Sequence, residues 1–388
     1  MKLELIATAT FGLEAVVRRE IEALGYKIIK TEDGKVTFMG DERAIVRANL
    51  WLRTADRVQV RLAEFTAVTF EELFQQIKGI AWEEWIPTDG KFIMNGSSVK
   101  SQLSSVPACQ SVAEKAVVER LSEAYGLSHF EKSGALYDIK ITILKDRVTV
   151  TLDTTGPGLH KRGYRQASVE APIKETLAAA MLMLSFWKKD RILTDPCCGS
   201  GTIPIEAALI ARNIAPGISR SFVSQDWPAI PEKLWKEERA AAFAAIDNEA
   251  APKIFGLDIN PAAIKACKAN AEAAGVDDII KFGVNDIANM RTKSESGVIV
   301  TNPPYGKRIG DEEAIDKIYK AYKSFLTDNP TWSLFAITAD KTIEGKLGRK
   351  ADRRRKLYNG RMEVCYYQFH GQKPNREDKL SQDDNPKQ

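Results

Sequence analysis

RILTDPCCGSGTIPIEAALIARN, residues 191 to 213, reads as a strand, a tight turn and a helix in that order. The apolar run Ile192–Leu193 leads to Asp195-Pro196, where a ring without an N–H ends the ladder. Gly199 and Gly201 supply the turn, and the apolar residues from Ile203 to Ile210 form a buried helix. The G-x-G-x-x-G fingerprint is absent, since Ile203-Pro204 follow Gly201. Backbone can approach a ligand closely here, but no pyrophosphate cradle is specified.

The pattern repeats to the C-terminal side. KIFGLDI, IIKFGVND, GVIVTNPP and TWSLFAITA read as strands. PAAIKACKANAEAAG and DEEAIDKIYKAYKSFL read as helices, the first opened by Pro261 and closed by Gly275. Strands alternating with helices indicate a parallel sheet, and RRRKLYNGRMEVCYYQF adds a hairpin at Asn359-Gly360. Ligands of such sheets bind at the carboxyl ends of the strands. Four strand ends in succession carry polar groups: Asp195 with Gly199, Ser200, Gly201 and Thr202; Asp258; Asn285-Asp286; and Asn302-Pro303-Pro304-Tyr305. Each alone is an ordinary turn or helix cap. All four together point to a ligand with a nucleoside and no required diphosphate, because an acid after the second strand suits ribose hydroxyls.

On the N-terminal side the order is mixed. LELIATAT, YKIIK and KVTFMG read as strands and LEAVVRREIEAL and DERAIVRANLW as helices, with Asp41 an N-cap. RVQVRLAEFTA, KFIMNGSS and a hairpin at Lys145-Asp146 are further strands, and VPACQSVAEKAVVERLSEAYGL a long helix. GPGLHKRGYR, residues 156–165, breaks the pattern and marks a boundary. The expected domains are therefore 1–55, 56–155, a linker at 156–170, 171–370, and a disordered polar tail at 371–388. Residues 213–252 are unusually long for one connection. Their Phe222, Trp227 and Trp235 suit either a lid over a substrate or, the preferred reading, a helical insertion packed on the sheet.

Composition bounds the class. Of 388 residues 44% are hydrophobic, enough for a sizeable core, and a net charge of +4 leaves any nucleic-acid footprint to local clusters. No apolar run approaches a membrane span of ~20 residues, and the N-terminus lacks a secretory pattern. Five cysteines, two of them adjacent, and three histidines give neither a disulfide framework nor a metal site. The expectation is a reduced, cytoplasmic protein without a metal.

DPCCGSGT followed by TNPPYG resembles the class I S-adenosylmethionine-dependent amino-methyltransferases. With LHKRGYR-QASVEAPIKETLAAAML and the order of the N-terminal elements, the chain is similar to the bacterial THUMP-domain 23S rRNA guanine-N2 methyltransferases, over residues 1 to about 370. The resemblance implies an α/β fold: a C-terminal Rossmann-like seven-stranded sheet with an antiparallel last strand, after an N-terminal α+β ferredoxin-like part (1–55) and a THUMP domain (56–155). It implies S-adenosylmethionine as cofactor. Glu175, Thr176, Asp195, Cys197, Gly199, Ser200, Gly201 and Thr202 would surround its methionine part. Asp258 and Ile259 would hold its ribose, and Asn285 and Asp286 its adenine. Asn302 and Pro303 would accept the hydrogens of a substrate amine, Pro304 would stiffen the turn, and Tyr305 would stack on the base.

His160, Lys161, Arg162 and Arg165 would meet an RNA backbone, or form a solvated basic linker; GRKADRRRK (348–356) is a second basic run with the same two readings. RNA, as 23S rRNA or a pre-ribosomal particle, is the expected partner, with oligomeric state open. The rival readings are the same chemistry on tRNA, a non-catalytic RNA-binding assembly factor, and a protein-glutamine or DNA amino-methyltransferase.

Overall fold

The computed structural model describes residues 1–167, 172–304 and 311–373. The expected tail beyond 373 and Tyr305 lie outside the described residues. The chain forms two compact units. The first comprises Met1–Ala9, Val17–Leu159 and Ala215–Ala244, the second Thr10–Val16, His160–Ile214 and Ala245–Gln388.

The first unit is built on strands β1 (Leu3–Ala9), β2 (Lys27–Glu32), β3 (Lys35–Gly40), β4 (Ala55–Thr66), β5 (Lys91–Val99), β6 (Leu136–Leu144) and β7 (Arg147–Asp153). They make one seven-stranded sheet in the order β2-β3-β1-β4-β7-β6-β5. The sequence suggested two domains meeting near residue 55, but β4 spans that boundary and pairs with β1 on one side and β7 on the other. One sheet therefore serves both parts. Alternation fixes its core face: Tyr137, Ile139, Ile141 and Ile143 of β6 are all buried. Lys145 and Asp146 both take positive φ (52° and 64°), the backbone of a two-residue hairpin between β6 and β7.

Helices α1 (Glu14–Ala23), α2 (Glu42–Trp51) and α4 (Val106–Tyr125) follow the expected segments, and α3 (Phe70–Lys78) lies between β4 and β5. Asp41 caps α2 by accepting from Ala44 N at 2.8 Å. Thr69 and Glu72 close α3 with a reciprocal capping box.

Most of the insertion packs within the first unit. Residues 215–244, including helix α7 (Glu232–Ala244), belong to the first unit. Trp227 stacks on Tyr137 with ring centroids 4.8 Å apart and donates from Nε1 to Leu136 O at 2.9 Å. Phe222 stacks on Trp235 at 5.3 Å, and Arg43 of α2 pairs with Glu237 and Glu238 of α7. The three aromatic residues are therefore core, which removes the lid reading.

The second unit holds α5 (Glu175–Leu184), β8 (Leu193–Asp195), α6 (Thr202–Ala211), β9 (Ile254–Asp258), α8 (Pro261–Ala273), β10 (Ile280–Val284), β11 (Val298–Thr301), α9 (Asp311–Asp328), β12 (Ser333–Thr338), α10 (Ile343–Leu347), β13 (Arg353–Asn359) and β14 (Met362–Phe369). The sheet order is β10-β9-β8-β11-β12-β14-β13. Strands β8 to β12 run parallel, and β14 enters antiparallel beside β12. Leu193, Ile254, Val298, Val300, Phe335 and Ile337 are buried in its core. Pro196 confines β8 to three residues, yet its place between β9 and β11 puts Asp195 at the centre of the sheet's carboxyl edge.

Candidate active site

Asp195 ends β8 and is 1% exposed. Its Oδ1 accepts from Thr301 Oγ1 at 2.8 Å and from Cys197 N at 3.2 Å. Thr301 in turn accepts from Tyr322 OH of α9 at 3.2 Å. Burial pushes the Asp195 carboxyl up to about 7, against the pull of those two donors, and the nearby Asp258 carboxylate adds to the rise. A cation placed beside it would reverse that cost.

The turn after β8 is tied down by backbone and carboxylate. Gly199 and Gly201 both have positive φ, 54° and 85°. A Cβ on Gly201 would lie 3.2 Å from Cys267 Sγ, so the position needs glycine for both space and conformation. Gly199 N donates to Asp258 Oδ2 at 2.9 Å, and Asn260 N to Asp258 Oδ1 at 2.9 Å. Gly201 caps α6 without a side chain, so the first N–H groups of that helix face the turn. Next to Asp258, Ile259 is 67% exposed, an apolar platform at the strand end.

Asn285 N donates to Asp258 O at 3.0 Å. Asp286 Oδ1 accepts from Ala288 N at 2.9 Å and caps a short turn at Ile287–Asn289. The local role of Asp286 is thus the cap that its sequence context allowed, at the same edge as Asp195 and Asp258.

Asn302 follows Thr301 at the end of β11, which pairs with β8 through Val298–Leu193 and Ile299–Thr194. Its Oδ1 is buried and has no hydrogen-bond partner among the described residues. A buried amide oxygen without a donor costs about 1–3 kcal/mol, so this atom is an acceptor awaiting one. Pro303 is buried and Pro304 exposed behind it. Thr176 Oγ1, in the first turn of α5, is likewise buried and without a partner among the described residues.

Two of the four linker basics do not fit a phosphate contact. Arg162 is 4% exposed, with Nε 3.3 Å from Glu206 Oε1; Tyr164 OH also donates to Glu206, at 3.1 Å. A guanidinium buried in an ion pair cannot reach a polyanion in solvent. Arg165 is spent on the turn. It donates to Glu175 Oε1 (2.8 Å), Ser200 Oγ (3.0 Å), Ile173 O (3.1 Å) and Thr202 Oγ1 (3.1 Å). Glu175, nearly buried and with its carboxyl raised by that burial, is therefore the partner of Arg165. His160 is half-buried and Lys161 exposed. In the second basic run Arg349 pairs with Asp352, Arg354 with Glu344 and Lys356 with Glu363, and the run enters β13.

Sequence reasoning missed three supports. Asn270 of α8 accepts from Gln166 N (2.8 Å) and Ala167 N (3.0 Å) and donates to Ser200 O (3.0 Å). Thr301 and Tyr322 form the chain behind Asp195. Asn270 and Tyr322 lie inside helices, away from the turn motifs, and only the packing of those helices brings them to the sheet edge. Among the described residues no three His, Cys, Asp or Glu side chains gather to hold a metal ion, and no helix is long and apolar enough to cross a membrane.

The chain is similar to several known proteins. The chain matches the RMKL-like methyltransferase domain over residues 162–368, the RlmL ferredoxin-like domain over 4–59 and the THUMP domain over 67–153. It is 48% identical over 370 residues to the putative RNA methyltransferase YpsC of Bacillus subtilis (strain 168), covering 95% of this chain and 96% of that one. It is 32% identical over 385 residues to ribosomal RNA large subunit methyltransferase K/L of Shewanella pealeana, covering 97% of this chain and 54% of that protein. The structure of SMU.472, a putative methyltransferase complexed with SAH, superposes with a TM-score of 0.91 at 41% identity, covering 96% of this chain and 99% of that one.

Proposed function

The chain belongs to the RMKL-like methyltransferase family, and from that premise we propose that it methylates the exocyclic N2 amine of a guanosine in 23S rRNA, using S-adenosylmethionine. The observation that carries the reading is the buried, unpartnered Asn302 Oδ1 at the carboxyl end of β11, beside Asp195.

The residues fit that cofactor. The open first turn of α6 and the Arg165 guanidinium behind Ser200 and Thr202 suit the amino-acid carboxylate. Asp195 suits the cationic end, Asp258 the ribose hydroxyls, and Ile259 with Asp286 the adenine. When bound, S-adenosylmethionine supplies a methyl group on a good leaving group. The chain's own work is then alignment. The lone pair of a guanine amine is delocalised into the ring and is a poor nucleophile. Asn302 Oδ1 and the Pro303 carbonyl each accept one amine hydrogen, which turns the nitrogen toward the methyl group. The two prolines hold both acceptors still and bring no competing N–H. Placing two reacting atoms in line is worth about 7–11 kcal/mol in favourable cases. Burial of Asn302 Oδ1 limits its access to water, which would otherwise compete for that acceptor.

The test is transfer of radiolabelled methyl from S-adenosylmethionine to purified 23S rRNA and to tRNA by the intact protein and by Asn302→Ala. Label in N2-methylguanosine of 23S rRNA, lost with Asn302→Ala, supports the reading. Label in tRNA alone moves the substrate, and label in neither removes it.

A further inference from the structure

Strand β9 lies inside a parallel sheet, between β10 and β8. Both faces of such a strand are ordinarily covered by helices. One face is: Ile254 and Gly256 are buried, and a Cβ on Gly256 would meet Pro204 of α6 at 3.2 Å. On the other face Phe255 and Leu257 are only half-buried. The cause is the connection from β10 to β11, residues 285–297. It contains a single three-residue turn where a crossover usually supplies a helix.

What remains is a groove of about 470 Å³, floored by Phe255 and Leu257 and walled by Phe325 and Trp332. Lys253, Arg291 and Lys293 also line it. Lys281 pairs in register with Phe255 and shares its face. Among the described residues no carboxylate lines the groove, and none of these four cations forms an ion pair. Arg291 donates only to backbone, to Ala288 O (3.2 Å) and Met290 O (2.8 Å). Lys253 precedes β9 and Arg291 and Lys293 precede β11, so the cations gather at the amino ends of the strands. Asp195, Asp258 and Asn302 stand at the carboxyl ends.

We propose that this groove is a second RNA foothold, separate from the methyl-transfer site. It holds an unpaired nucleotide of the substrate with its base against Phe255 and its phosphates between Lys253 and Lys293. The volume falls within the range of about 300–1,000 Å³ typical of small-ligand pockets. An apolar floor accepts any base by its flat face, which is exposed only when the nucleotide is unpaired. Unopposed cations around an apolar floor are complementary to a phosphodiester chain and would repel one another without an anion. The inference rests on the chain's membership of an RNA methyltransferase family and not on which base it methylates.

The test is fluorescence anisotropy of the full chain with a labelled, mixed-sequence, 20-nucleotide single-stranded RNA across potassium chloride concentrations. Lys253→Glu/Lys293→Glu should weaken binding at least about tenfold at low salt. It should also flatten the slope of log K against log salt by about 1.4, since each phosphate contact on a single strand contributes about 0.7. Phe255→Ser should weaken binding about fivefold or more with the slope unchanged, as loss of one stacked base predicts. S-adenosylhomocysteine affinity by calorimetry reports that the cofactor site is intact. Lys253→Gln/Lys293→Gln, at exposed positions, repeats the salt measurement if charge reversal disturbs folding. Wild-type affinity and slope in the charge variants, with cofactor binding intact, would overturn the proposal. So would displacement of the RNA by micromolar adenosine monophosphate, which would make a free nucleotide the ligand. These readouts are of binding, so they stand or fall apart from any failure to find N2-methylguanosine.

Discussion

Replacing Thr301 by valine keeps its shape and removes one hydrogen-bond donor from a buried carboxylate. Thr301 Oγ1 lies 2.8 Å from Asp195 Oδ1, and burial has already pushed that carboxyl up to about 7. A hydrogen bond to a charged group contributes about 1.5–3 kcal/mol, and one pKa unit is 1.36 kcal/mol. Its loss should therefore raise Asp195 by about one to two units. If the ionised form binds the cofactor cation, about half the wild-type protein is competent at pH 7 and only about 1–10% of the variant. S-adenosylmethionine affinity should fall about five- to fiftyfold at pH 7 and recover to within about twofold at pH 9. The sign for stability runs the other way. A carboxyl raised above its ordinary value keeps a proton in the folded state that the unfolded chain has lost. Its contribution to apo stability is present at acidic pH and disappears as pH rises from about 4 through about 7. Calorimetry from pH 6 to 9, on wild type and Thr301→Val, measures the binding effect directly. Equal weakening at every pH, or none, would refute the link between Thr301, the Asp195 proton and the cofactor.

Three further outcomes follow from the geometry. Arg165→Gln leaves Glu175 nearly buried without its cation and should cost about 3–5 kcal/mol in denaturant unfolding; adding Glu175→Gln should recover part of that loss. Gly201→Ala forces a side chain into φ +85° and against Cys267, and should weaken cofactor binding at least about tenfold while the first unit's unfolding transition is unmoved. Trp227→Ala removes the ring stacked on Tyr137 and should destabilise the first unit by about 3–5 kcal/mol, with S-adenosylhomocysteine affinity changed less than twofold.

Much of this fold was legible because each element carried its own local signal. Pro261 and Gly275 bracketed α8, Asn359-Gly360 turned the last hairpin, and Gly199 and Gly201 marked the first strand-to-helix turn. The four strand-end groups were visible because parallel topology sends every carboxyl end to the same edge. What escaped was long-range. Nothing near residue 55 says that β4 will pair with both β1 and β7, since pairing partners are chosen by three-dimensional closure. Trp227 and Trp235 announce burial but not against which unit. Arg162 and Arg165 look like solvent-facing basics in a glycine-rich linker, and only the fold brings Glu206 and Glu175 beside them. Asn302 was legible as a motif, whereas its unpartnered oxygen required coordinates. The open face over Phe255 arises from a missing helix, an absence that the sequence of residues 285–297 conveys only weakly.

The most direct test of the central claim is mass spectrometry of nucleosides from 23S rRNA, 16S rRNA and tRNA. The fractions would come from a strain lacking the gene, the same strain carrying it, and the same strain carrying Asn302→Ala. N2-methylguanosine should disappear from 23S rRNA on deletion, return with the intact gene and stay absent with Asn302→Ala. Unchanged N2-methylguanosine in 23S rRNA on deletion, or full restoration by Asn302→Ala, would contradict it.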